Sequence, residues 1–384
     1  MNKLNKILMY ASKHVEKYKG LDNDIECFPV INKTIIRNDS ALFRSDDLVE
    51  NNMHFEYTSG TTGEPLVCSK SSDDLNRLNI SLFHHRFSNC KKLLPPLKAI
   101  RFWGRNELSF VYKNTLLLSI PSLNENSLLN YINEIYIYQP NYIFCTPSAL
   151  LKFTMLLLEE NKMDYLINNT NIVYIELSGE IVTEDIYDYL KNAWKGARIC
   201  NHYGCRETWH IGFGAGDGVF HLCQDNVYIE ILDDDNTPVD TGEEGNIVIT
   251  SLNIYSIPFI RYSIGDKGYL LRNNDSASEL KLLNGRSSEM VCVNQKHIPT
   301  ASFHQVFKRI HKNGFKGILK YSVLSDIDSV IIRLVVSNEF NHSCESIIKE
   351  YLNEILPINT TIKIEYSNKI YIDNSGKNKI YLPE

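Results

Sequence analysis

Residues 57–65 of the chain read Tyr-Thr-Ser-Gly-Thr-Thr-Gly-Glu-Pro. Hydroxyls at Thr58, Ser59, Thr61 and Thr62 are interspersed with Gly60 and Gly63. Such a stretch can wrap phosphate oxygens, because glycines let the backbone approach an anion and N–H groups and hydroxyls donate to it. It is not a Walker A loop, which needs a lysine where this chain has none. Taken alone, it reads equally well as an ordinary Ser/Thr/Gly loop. A second concentration of chemistry lies at Cys200, His202, Cys205, His210, His221 and Cys223. Thiols and imidazoles are zinc ligands; these spacings match no zinc pattern, and a structural zinc there stays an open alternative. His84, His85 and Arg86 read as a polar helix face, with the lining of a substrate pocket as the alternative.

The elements that must position these residues follow from the hydrophobic pattern. The run at 141–145 is a short apolar strand, and Pro147 opens a helical run after it. A strand at 172–177, a helix near 183–195 and a strand at 197–204 follow. From about 55 to 260, strand and helix alternate, which predicts a largely parallel sheet covered by helices. Ligands of such sheets bind at the carboxyl ends of the strands. After about 225 the pattern changes. Two strands joined by the turn-rich stretch 233–245 predict an antiparallel subdomain. A boundary is expected at Gly-Arg-Ser-Ser-Glu-Met, 285–290. Beyond it a helix near 301–312, strands near 317–323 and 329–337, a helix near 343–355 and a strand near 361–367 make a small α+β domain.

Composition narrows the function classes. The chain of 384 residues is 43% hydrophobic and 22% charged, enough for a sizeable core in more than one domain. A net charge of −6 gives no electrostatic case for nucleic acid or an anionic membrane. No run is apolar and long enough to span a bilayer, and the first 20 residues read as an amphipathic helix and not a secretory leader. Nine cysteines without a CxxC pair suit reduced thiols in a cytoplasmic protein.

Taken together, the motifs resemble the adenylate-forming superfamily of acyl-CoA ligases, adenylation domains and luciferases. The stretch 57–65 is similar to its phosphate loop. Leu177-Ser178-Gly179-Glu180, Tyr203-Gly204-Cys205-Arg206-Glu207, Arg261-Tyr262-Ser263-Ile264-Gly265-Asp266, Gly285-Arg286 with Glu289, and Ser375-Gly376-Lys377 follow in the family's order. The shortness of the chain and residues 28–39 most resemble the phenylacetate–CoA ligase branch, and YGxRE its capsule-biosynthesis-type relatives. A dinucleotide oxidoreductase is excluded for want of GxGxxG after a strand.

The resemblance implies an α/β fold: a large N-terminal domain of several subdomains with mainly parallel sheets covered by helices, residues 1–288, and a mobile α+β domain, residues 289–384. It implies an enzyme that uses ATP and Mg2+ to convert a carboxylic acid to acyl-AMP and pyrophosphate. The acyl group then goes to CoA, a carrier-protein phosphopantetheine or an amine. Thr58, Ser59, Gly60, Thr61, Thr62 and Gly63 would hold the ATP phosphates, and Ser178, Gly179, Glu180, Tyr203 and Gly204 the adenine. Asp266 has two acceptor oxygens for the ribose hydroxyls, with Arg286 beside it. Glu207 offers a hard oxygen to Mg2+, Glu289 is the hinge, and Lys377 is the catalytic cation. Arg206 stands where many members have threonine, Glu289 where aspartate is usual, and the glycine that follows the hinge has no clear counterpart. A carrier protein and a homodimer remain open as partners. The competing reading is a non-catalytic nucleotide-binding relative.

Overall fold

A computed structural model describes residues 2–48, 53–57, 66–104, 109–273, 276–283 and 290–367. The chain divides into two compact units. One comprises Met1–Asn89, His202–Gly214 and Gly218–Leu283; the other comprises Cys90–Asn201, Ala215–Asp217 and Asn284–Glu384.

The first unit is built on antiparallel strands. In order across the sheet they are Val227–Leu232, Gly245–Ser251, Tyr262–Asn273, Ser276–Leu283, Val219–Leu222 and Trp209–Gly214. Alternation sets their faces: Ile229, Ile231, Ile247 and Ile249 are buried in one core with Tyr18, Phe28, Phe43 and Phe259. The amphipathic N-terminal helix Lys3–His14 contributes Leu8 and Ala11 to the same core. A hairpin of Met53–Tyr57 against Val67–Ser71 leads into the helix Ser72–Asn89.

The second unit carries the parallel part. Tyr174–Ser178, Tyr142–Cys145, Ala99–Trp103 and Thr115–Ser119 pair in that order, all parallel, and Phe110–Tyr112 closes the edge antiparallel. Helices Glu125–Tyr138, Pro147–Glu159 and Glu184–Ala193 bury Ile132, Ile135, Phe153, Leu157, Ile186 and Leu190 in the core cluster that holds Ile143, Ile175 and Leu177. Their ends are written in the sequence. Asn124 and Ser127 form a capping box, Pro147 occupies the first turn of its helix, and Thr183 accepts from Ile186 N.

The same unit holds the C-terminal α+β layer. Ile318–Ser325 pairs antiparallel with Ser329–Val336, which pairs parallel with Thr361–Tyr366. Helices Thr300–Lys312 and Glu345–Ile355 cover it around Phe303, Ile310, Val323, Ile332 and Leu352. Leu319 and Val335 also pack on Leu151, and His311 meets Glu184 and Asp185 at 2.7 and 3.2 Å.

The fold is α/β with a large mixed sheet covered by helices and a smaller C-terminal domain, as the sequence implies. One expectation needs moving. Strand–helix alternation ends at Arg198–Cys205, and every strand from Trp209 to Leu283 that is paired within the first unit is antiparallel. The change therefore comes before residue 225. Apolar alternation marks a strand but carries no information on its direction, so the earlier switch is invisible in the pattern. The anticipated boundary at 285–290 falls largely on residues outside those described.

Candidate functional site

Two of the signature stretches meet in the first unit. The strand Arg198–Cys205 delivers Tyr203 and Gly204 at its end, and Glu207 lies in the turn beyond. Gly204 has a steric reason to be glycine: a Cβ there would stand 2.1 Å from the carbonyl oxygen of Trp209. The turn from 205 to 208 can therefore fold tightly back into the next strand, with Trp209 itself at φ 65°.

Asp266 is positioned by a bulge. The pairs Val248↔Ser263 and Asn246↔Lys267 leave residues 264–266 opposite Ile247 alone. Gly265 takes φ 82° there, a conformation that costs glycine nothing. Released from the ladder, Asp266 accepts a 2.8 Å hydrogen bond from the Tyr203 hydroxyl through Oδ2. The aromatic ring expected at the adenine and the carboxylate expected at the ribose are thus neighbours.

Glu207 is buried, and its Oε1 accepts from the Tyr262 hydroxyl at 2.7 Å. Burial, then the Glu207 charge, drives the Tyr262 phenol far above its ordinary value, so it remains a donor. Burial with the Glu207 charge also pushes the Cys68 thiol up to about 12 and holds Cys205 well above its ordinary value. Both thiols stay protonated at neutral pH. A buried carboxylate oriented by one phenol is a hard-oxygen donor that fits Mg2+.

The turn that carries Glu207 is held from below by a charge. Lys70, fully buried, donates to Glu56 Oε2 at 2.8 Å and to the carbonyl of Arg206 at 2.7 Å. Trp209 Nε1 donates to the same Glu56 oxygen at 3.0 Å. Burial raises the Glu56 carboxyl, but the Lys70 charge and the hydrogen bonds from Lys70 and Trp209 outweigh it, and it sits below its ordinary value. Residues 206 and 209, on either side of Glu207, are thereby tied to one ion pair. Arg261, in the same signature as Asp266, is buried against Glu230 at 3.0 Å and the carbonyl of Phe28, so it serves the scaffold.

Ser178 ends the strand Tyr174–Ser178 in the second unit, and Gly179 and Glu180 follow it. Gly179 is exposed at φ 89°. Glu180 Oε2 accepts from the Ser148 backbone N–H and hydroxyl and from Lys320 Nζ at 3.0 Å. Its carboxylate is engaged by these protein donors, and the exposed Gly179 backbone lies beside it.

Thr58, Ser59, Gly60, Thr61, Thr62, Gly63, Arg286, Glu289 and Lys377 lie outside the described residues. Lys70, Glu56, Trp209 and Tyr262 were not singled out from sequence. Only Tyr262 carried a signal, its place in the 261–266 signature; the others sit 14 to 153 positions from their partners.

The family described as AMP-binding enzyme matches residues 49–256, more than half of the chain. No curated protein gave a match to the sequence. Among solved structures, 2-hydroxyisobutyryl-CoA ligase in its postadenylation state with R3-HIB-AMP is similar at a TM-score of 0.69 and 16% identity, over 100% of this chain and 88% of that one. The same ligase with 2-HIB-AMP and CoA in the thioesterification state is similar at 0.58 and 18% identity, with the same coverage. Anthranilate CoA ligase with anthranoyl-AMP is similar at 0.53 and 15% identity, over 84% of this chain and 64% of that one.

Proposed function

The chain belongs to the AMP-binding enzyme family, and from that premise we propose that it activates a small carboxylic acid with ATP and transfers the acyl group to a thiol, with CoA as the first candidate. In the first step a carboxylate oxygen attacks the α-phosphorus, the bond from that phosphorus to the bridging oxygen of the β-phosphate breaks, and pyrophosphate leaves. In the second a thiol attacks the acyl carbonyl and AMP departs. Carrier-protein phosphopantetheine and amines are the other acceptors, and the phenylacetate–CoA ligase branch, with its capsule-type members, is the placement we favour.

The observation that carries this reading is the buried Glu207 clamped by Tyr262 in the unit that also joins Tyr203 to Asp266. A catalytic metal needs a fixed hard ligand, and a nucleotide needs an aromatic face beside a ribose acceptor. Glu207 would hold Mg2+, which when bound offsets phosphate charge. Residues 58–63 would cradle the phosphates, Ser178–Glu180 would border the adenine, and Arg286 would join Asp266 at the ribose. Glu289 would be the pivot of a moving domain 289–384, and Lys377 the cation that bridges carboxylate and phosphate. Support for CoA comes from the neighbours, which are CoA ligases bound to acyl-AMP.

The test is ATP–pyrophosphate exchange by the full chain with Mg2+ against aliphatic, hydroxy, aromatic and amino acids. Acid-dependent exchange in any class supports the reading and names the acid. ATP binding without exchange in every class would replace it with a non-catalytic nucleotide-binding role.

A further inference from the structure

The first unit also brings together a set of side chains that the proposed reaction does not use. His85 comes from the helix Ser72–Asn89, His210 from the strand Trp209–Gly214, and Cys223 follows the strand Val219–Leu222. One ligand atom from each lies within 4.8 Å of the others. His210 and Cys223 are buried.

The surroundings are built. His210 Nε2 pairs with Ser81 Oγ at 2.7 Å, and Asn226 Nδ2 donates to the His210 carbonyl at 2.6 Å, fixing backbone and ring. His210 Nδ1 is buried with no hydrogen-bond partner among the described residues. An imidazole nitrogen left so in a protein interior asks for an explanation. His85 Nε2 pairs with Asp225 Oδ1 at 2.6 Å. A carboxylate behind an imidazole is the arrangement that orients metal-ligating histidines. The His85 and Asp225 side chains are 22% and 39% exposed, so an ion has a route in from solvent.

We propose that His85, His210 and Cys223 form a Zn2+ site, with Asp225 and Ser81 orienting the two imidazoles. Two imidazoles and a thiolate suit zinc; Mg2+ and Ca2+ take oxygen ligands and do not fit. Three protein ligands leave the fourth tetrahedral position to water. Zinc bonds of about 2.0–2.3 Å place tetrahedral ligand atoms roughly 3.3–3.8 Å apart, so loading draws the set slightly inward. Binding replaces the Cys223 thiol proton with the metal and releases that proton to solvent. The site goes beyond acid activation and does not depend on it. Sequence spacing could not reveal it, because His85 lies 125 positions before His210.

The experiment uses the full chain stripped by a chelator and titrated with Co2+, then Zn2+. Stoichiometric Co2+ uptake with a thiolate-to-cobalt charge-transfer band, displaced by Zn2+, is the expected result. Cys223→Ser should abolish the band, and Asp225→Asn should weaken Co2+ binding about 10–100-fold. His221→Ala, on an exposed neighbour outside the set, should leave it unchanged. Absence of the band in the wild-type chain overturns the proposal without recourse to any variant. So does a band that survives Cys223→Ser, or one lost equally in His221→Ala. Should Cys223→Ser fail to fold by circular dichroism, Asp225→Asn decides: unchanged Co2+ affinity there also overturns it.

Discussion

The Tyr262 hydroxyl donates to Glu207 Oε1 at 2.7 Å, joining the Arg261–Asp266 signature to the Tyr203–Glu207 signature through one buried bond. Its consequence is orientation. A metal-ligating carboxylate held by an outer partner loses affinity for its ion when that partner goes, typically 10–100-fold. Tyr262→Phe should therefore raise the Mg2+ concentration needed for half-maximal pyrophosphate exchange by about 10-fold or more, with little change in Mg2+-free nucleotide binding. A Mg2+ titration curve identical to wild type would remove Glu207 from the metal.

The Lys70–Glu56 pair holds the same turn. Lys70 is fully buried and Glu56 partly so; stranding a buried charge costs up to about 3–5 kcal/mol. Lys70→Met and Glu56→Gln should each destabilise the chain in urea, and the double variant should lose less than the sum of the two, because neither partner is then stranded. Strictly additive losses would show that the pair is not coupled.

Acid should weaken that anchor. The Glu56 carboxyl is held below its ordinary 4.5 in the folded chain, so the unfolded chain takes up the proton first as pH falls. The stability it contributes is present above about pH 4.5 and drains away as pH drops through the folded value. Glu56→Gln should lower the melting temperature at neutral pH and flatten the acid limb of the profile. An acid limb as steep as that of wild type would place the titrating group elsewhere.

Thiol reactivity should divide the nine free cysteines sharply. Cys27 and Cys292 are exposed, whereas Cys68 is buried, Cys205 is partly buried, and desolvation with the nearby Glu207 charge raises both thiols. A thiol becomes nucleophilic only as the thiolate. Brief alkylation of the native chain at neutral pH, read by peptide mass spectrometry, should label Cys27 and Cys292 first. Early labelling of Cys68 or Cys205 would contradict the packing around Glu207.

Lys377 tests the proposed chemistry. A cation that meets carboxylate and phosphate in the transition state stabilises it more than the ground state. Lys377→Ala should cut acyl-adenylate formation by roughly two to four orders of magnitude while leaving ATP affinity within about a few-fold, and pre-made acyl-AMP should still be consumed. Lys379→Ala should behave like wild type in both half-reactions. If exchange survives in Lys377→Ala, or Lys379→Ala is the inactive variant, the assignment is wrong.

Much of the secondary structure was legible in the sequence. Apolar alternation and Pro147 mark strands and a helix start that the structure reproduces, because those choices are settled within a few residues of chain. The signature stretches were legible as well, since motifs are read by local spacing; for residues 58–63, 286, 289 and 377 that reading still stands alone. The direction of the strands after Arg198–Cys205 was not legible. Nor was the Lys70–Glu56 anchor beneath Glu207, nor the meeting of His85 with His210 and Cys223. Each depends on sheet register and on one element packing over another, which decide whether side chains many positions apart share a few ångströms. By itself the sequence determined which residue types were available and in what order; only the tertiary structure decided which carboxylate received a buried lysine, which a tyrosine, and which imidazole kept a nitrogen without a partner among the described residues. A buried charge or polar atom is settled by its nearest neighbours in space, and the chain does not record those in its order.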